Sequence, residues 1–198
     1  SNPQNNLYLS LYPEGNLATY LPRMRLFFGD AIQFESPGEG IHYAKCLSIK
    51  EYGTETAPSM LDSLLNLDCE FLQTHSFTIE PSDQAQKLIS RQIIKLENAN
   101  DPAKSQIQAL SQLRDDLASG HVKTGFYQHT LMLISNDLNH LNTHITEAVK
   151  RYGQAGLVAI EESIGLEPSF WSQLPTNAGY IIRAQPITSA NFVDFCPL

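Results

Sequence analysis

The sequence predicts an α+β fold: a mixed sheet with helices on one face, built as two split β-α-β halves of the ferredoxin-like kind. Three observations carry that expectation. Runs rich in β-branched and aromatic residues recur at 41–49, 69–79 and 125–135. Between them lie stretches whose apolar residues return every three or four positions, the helical period. With the ends set aside, the order is strand-helix-strand, a helical pair, then strand-helix-strand. The pair, residues 82–119, is therefore an antiparallel helical hairpin inserted between the halves.

Residues 1–22 are weakly patterned and read as an approach segment, strand-like at 7–12. Residues 24–34 and 41–49 are strand-like around Ser36, Pro37, Gly38, Glu39 and Gly40, a composition suited to a hairpin connection. Residues 52–57 lead into Pro58, a favourable first helical position, and Met60, Leu61, Leu64 and Leu65 follow at helical spacing. The strand at 69–79 carries Phe71, Leu72, Phe77 and Ile79.

Ser82 or Asp83 caps a helix whose apolar face is Ala85, Leu88, Ile89, Ile93 and Leu96. Asn98, Ala99 and Asn100 interrupt it. Asp101 and Pro102 then supply a cap and a first-turn proline for a helix bearing Ile107, Leu110, Leu113 and Leu117, with Gly120 past its end. Residues 125–135 are nearly all apolar at their centre, the mark of an interior strand. Asn136 or Asp137 caps the next helix, with Leu138, Leu141, Ile145, Ala148, Val149 and Tyr152 on one stripe and Gly153 closing it. A strand at 157–160, a short helix at 168–174 and a last strand at 180–187 complete one α+β domain over 23–187. Residues 188–198 read as an exit linker.

Bulk properties exclude several classes of function. With 198 residues the chain suffices for one domain with a true core. Its 42% hydrophobic and 17% charged content is that of an ordinary folded protein. A net charge of -8 and only 13 scattered basic residues argue against direct nucleic-acid binding, which needs clustered cations. The longest aliphatic run, residues 131–134, falls far short of the roughly 20 that a bilayer requires, so direct membrane insertion is not expected. The polar start at Ser1 does not resemble a signal peptide, and the missing initiator Met fits an excised piece. Cys46, Cys69 and Cys196, odd in number and far apart, read as reduced thiols of a cytosolic protein.

Candidate chemistry is sparse. Lys123 and Thr124 stand between Gly120 and Gly125, but a phosphate loop needs a glycine directly before the lysine and leads from strand to helix. Here Val122 holds that place and the segment leads from helix to strand, so a helix stop is the better reading. His140 and His144 lie four apart but opposite the apolar stripe, which makes them a solvated face. His75, His121 and His129 have hydroxyl neighbours in sequence only, which does not make a triad. Adjacent Asp115 and Asp116, and Glu161 and Glu162, diverge on a helix, and Glu162 is read as a favourable charge near a helix start. Phe170 and Trp171 read as packing residues, with an exposed aromatic anchor as the alternative. No catalytic, cofactor-binding or metal-ligating residue is nominated.

Several words of this sequence, in order, resemble the CagE/TrbE/VirB family of type IV secretion and conjugation ATPases. They are "LSIKEY" at 47–52 followed by Thr56, Pro58, Met60, Leu61, Leu64 and Leu65, and "THSF" at 74–77. Next come Ser105, Gln106 and "DDLASG" at 115–120, then Gly125 with His129. "FWSQLP" at 170–175, then Arg183 and "ITSANF" at 187–192, complete the series. Three departures stand out: Gln128 where the family usually has a first histidine, Thr176 after the "FWSQLP" word, and "FCPL" at 195–198.

The resemblance implies the non-catalytic N-terminal region of a motor at the cytoplasmic face of the bacterial inner membrane. It implies inner-membrane type IV secretion subunits and the parent's own ATPase domain as partners. ATP and magnesium would belong to that motor domain, expected beyond the exit linker, and not to this region. The competing readings are a free-standing ferredoxin-like regulatory or small-molecule-binding domain, and an enzyme whose site goes unrecognised.

Overall fold

The computed structural model describes residues 25–36, 40–53, 55–98 and 104–196. The approach segment, residues 37–39 of the expected hairpin connection and the expected helix break at 99–102 lie outside them. Among the described residues seven strands form one sheet: β1 (Arg25–Phe28), β2 (Ile32–Ser36), β3 (Gly40–Glu51), β4 (Glu70–Ile79), β5 (Thr124–Ser135), β6 (Val158–Glu161) and β7 (Gln185–Thr188). The main path is β1-β2-β3-β5-β4, with β6 against β3 and β7 against β5. Every pairing among the described residues is antiparallel, where the sequence reading expected a mixed sheet. The reason is insertion: β3 and β4 run in the same direction, but β5 lies between them.

β5 occupies the interior because its side chains are buried on both faces from Tyr127 to Leu133. Its pairing with β4 requires a glycine at one place. A Cβ on Gly125 would lie 2.5 Å from the Thr78 carbonyl oxygen and 2.7 Å from the Phe77 ring.

Among the described residues five helices accompany the sheet: α1 (Ser82–Asn98), α2 (Lys104–Ser119), α3 (Leu138–Gln154), α4 (Leu166–Trp171) and α5 (Ser189–Phe195). α1 and α2 pack together through Ala85, Ile89, Ile93 and Leu117, with Ile107, Leu110 and Leu113 against them. α3 begins at the Asp137 side chain, which accepts the Asn139 and His140 backbone N–H groups at 2.7 and 3.0 Å. Its buried stripe is Leu141, Ile145, Ala148 and Tyr152, with Leu138 and Val149 at the exposed margin. That stripe covers Leu47, Ile49, Tyr127, Leu131 and Leu133 on one sheet face. Leu166 and Phe170 of α4 cover Ile32, Ala44, Cys46 and Met132 on the other, so helices line both faces and not one.

Other expectations are corrected. The strand read at 24–34 is two strands, because Gly29, Asp30 and Ala31 turn the chain and pair Phe28 with Ile32. Met60 to Leu65 shorten to a 3₁₀ turn at Asp62–Asn66. The last strand is only Gln185–Thr188, preceded by a 3₁₀ turn at Ala178–Tyr180. Residues beyond 187 do not leave as a linker over the described stretch. They form α5, started by a Thr188–Asn191 capping box, and Phe195 is 1% exposed in the core.

Candidate interaction site

Phe170 and Trp171 are positioned by the single turn and a half of α4, and the structure separates their roles. The Phe170 ring meets Phe28 edge-on at 5.7 Å and Phe34 at 6.0 Å between centroids, as one wall of the core beneath α4. Trp171 lies 5.0 Å from Phe170 and 6.3 Å from Phe28, half-buried, and its indole N–H donates to Glu167 Oε1 at 3.3 Å. The aromatic group is thus anchored inward and open at Trp171.

The chain after α4 is tied down by Gln128 and Glu162, to which the sequence reading gave other roles. Buried Gln128 on β5 accepts the backbone N–H groups of Ile182 and Arg183 at 3.0 and 2.7 Å. Its amide nitrogen donates to Thr130 and Ser172, each at 3.3 Å. This explains the short last strand: Ile182 and Arg183 bond to a side chain instead of a neighbouring strand. Glu162, read from sequence as a helix-start charge, is instead 2% exposed and paired with the Arg183 guanidinium through Nε and, at 3.1 Å, through Nη2. The Glu162 hydrogen bond holds the Arg183 pKa above its ordinary value. Burial, aided by Glu162, pushes the Cys46 thiol up to about 12, which keeps it an unreactive thiol. The one sequence signal for this pair was an acid and a base flanking the "FWSQLP" word.

A second tie joins distant segments. Asn191 donates to Thr56 Oγ1 at 2.9 Å, and Thr56 donates to Asp194. The Thr188 hydroxyl donates to Asn191 Oδ1 at 2.6 Å. Ser189 N–H reaches the Lys123 carbonyl at 2.7 Å, so the loop after Gly120, with its φ of +77°, is fixed as a helix stop. Alongside runs an apolar groove of about 580 Å³, walled by Leu88, Ile89, Leu110 and Leu113 on the hairpin and by Tyr52 and Ile187 opposite.

The structure brings His75 and His129 together and leaves His121, His140 and His144 apart from them. His75 Nδ1 is hydrogen-bonded to Tyr127 Oη at 2.8 Å, and His129 Nδ1 to Tyr152 Oη at 3.0 Å. Burial lowers both imidazole pKa values, and His75 adds to the effect on His129. These rings knit β4, β5 and α3 together. Among the described residues no three His, Cys, Asp or Glu side chains form a metal-binding group, and no helix is long and apolar enough to cross a membrane.

Residues 9–183 match the CagE, TrbE, VirB family, described as a component of the type IV transporter system. The chain belongs to this family. It is 35% identical to a type IV secretion system protein PtlC homolog of Bordetella bronchiseptica, over 93% of the chain and 22% of that protein. Protein virB4 of Rhizobium radiobacter is 37% identical over 75% of the chain and 19% of its own length. A type IV secretion system protein virB4 of Bartonella henselae is 33% identical over 92% of the chain and 23% of its own. The chain therefore spans about a fifth of these relatives. In this CagE, TrbE, VirB chain the family-like words are structural neighbours: Thr56 of the first bonds Asn191 of the last.

Proposed function

We propose that the chain is the N-terminal, non-motor region of a type IV secretion ATPase. In this reading it docks that protein to inner-membrane secretion subunits and to its own nucleotide-binding half, at the cytoplasmic face of the bacterial inner membrane. It holds neither ATP nor magnesium, which belong to the motor, and it contacts neither nucleic acid nor lipid directly. The observation that carries this reading is the family match over nearly the whole chain, joined to a coverage of about a fifth of each relative. The net charge of -8 supports protein partners over nucleic acid.

The order β6-β3-β5-β4 supports the ferredoxin-like plan for the frame, with the α1–α2 hairpin inserted between its halves. The test is reconstitution. The isolated chain should co-purify with inner-membrane secretion subunits and show no magnesium-dependent ATP hydrolysis, and it should stay in the soluble fraction when floated with anionic liposomes. Turnover by the isolated chain, or flotation at physiological salt without a partner, would overturn the corresponding part. A second reading, a small-molecule-binding domain, is favoured by the groove beside Leu88 and Leu110, whose size suits a small ligand. Saturable binding of a metabolite that displaces no secretion partner would select it.

A further inference from the structure

Among the described residues, one edge of the sheet is unpaired. Ile79 stands opposite Gly125, so Glu80 stands opposite Thr124, and the Glu80 N–H donates to the Thr124 carbonyl at 2.9 Å. Bonded pairs alternate along an antiparallel ladder, so Glu70, Leu72, Thr74, Ser76 and Thr78 bond toward β5. Phe71, Gln73, His75, Phe77 and Ile79 then direct their N–H and C=O groups to the opposite edge of β4. Among the described residues no strand pairs there and no loop bonds to those groups.

Proteins blunt such edges with lysine, proline, bulges or brevity. β4 has none of these devices. It is 10 residues long, its register with β5 runs without a shift, and no charge or proline lies between Glu70 and Glu80. Leu72 and Ile79 are 46% and 61% exposed along it. Its first end is acidic, with Asp68 and Glu70 exposed and in no ion pair among the described residues.

We propose that β4 accepts an extended segment of a partner polypeptide as an added strand. That segment is uncharged over the contact and carries Lys or Arg beside Asp68 and Glu70. Self-pairing of β4 in full register is disfavoured. Antiparallel self-pairing centred on His75 would set Glu70 against Glu80 twice, and like charges directly opposite are destabilising.

The test uses the full chain and a capped synthetic peptide of alternating threonine and valine with lysine at both ends. Amide hydrogen exchange is read at each β4 position. The amides of Phe71, Gln73, His75, Phe77 and Ile79 should slow on adding the peptide, while those already bonded to β5 should not change. Gln73→Pro removes an outward N–H that no bond uses among the described residues, and should abolish the protection. Glu70→Lys should weaken the lysine-flanked peptide about threefold, and a glutamate-flanked peptide should bind wild type worse by a similar factor. If Gln73→Pro unfolds the chain, a peptide N-methylated on its β4-facing amides serves in its place and should give no protection.

Unchanged exchange with the lysine-flanked peptide, equal binding of both peptides, or protection by the N-methylated one would overturn the proposal. The probe is synthetic, so failure here would leave the secretion reading standing.

Discussion

Gln128 holds Arg183 by its backbone: the buried carboxamide oxygen accepts the Arg183 N–H at 2.7 Å, across 55 residues of sequence. Gln128→Leu keeps the bulk but strips two part-buried donors, the Ile182 and Arg183 N–H groups, of their acceptor. The expected loss is about 1–3 kcal/mol. Urea unfolding should show a lower midpoint at unchanged slope, and an unchanged midpoint would refute the clamp.

The Glu162–Arg183 pair should respond asymmetrically. Arg183 is 34% exposed on its side chain and can turn to water when its partner is lost, whereas Glu162 is 1% exposed and cannot. Arg183→Met should therefore cost about 3–5 kcal/mol, and Glu162→Gln clearly less. Thermal melts of both variants decide it; equal losses would mean that the carboxylate is not truly enclosed.

His75 and His129 face each other on β4 and β5 with ring centroids 4.8 Å apart, among Gln73, Tyr127 and Tyr152. Both pKa values lie below the ordinary 6.5, chiefly through burial. A lowered folded-state pKa means that the unfolded chain takes up the proton first. Stability is then complete above pH 6.5 and falls as the pH drops below it. Melts from about pH 8 to about pH 5 should show this decline, with a shallower slope in His129→Phe. A wild-type midpoint that stays flat over that range would count against the pair.

Phe170 and Trp171 should differ on truncation. Phe170 packs against Ile32, Ala44, Cys46 and Met132, and Phe170→Ala should cost about 3 kcal/mol. Trp171→Ala loses only half-buried contacts and one surface hydrogen bond, so its effect should be smaller. A stable Trp171→Ala that loses binding to secretion subunits would make the indole a partner anchor.

The helix cap at Thr188 can be tested alone. Thr188→Ala removes the hydroxyl that accepts the Asn191 N–H at 3.1 Å, and should cost about 1 kcal/mol. Thr56→Val should lower stability similarly, and the double variant should lose less than the sum, because both act through Asn191.

Local pattern was enough for much of the chain. The α3 stripe, the paired α1 and α2 faces and the apolar centre of β5 are periodicities that each segment displays alone, and each element formed where its pattern lay. The family was legible too, in spaced words that no single element explains. Only the tertiary structure decided which strands are neighbours, because hydrogen bonds between strands join residues far apart in sequence. It placed β5 between β3 and β4 and turned an expected mixed sheet antiparallel. It also decided the end of the chain: Gln128 took the backbone of Ile182 and Arg183, Glu162 took the guanidinium, and Thr56 received Asn191 at the start of α5. A side chain that satisfies a distant backbone group leaves no mark on local hydrophobic spacing, so residues 180–195 could be read as strand and linker until the fold brought their partners to them.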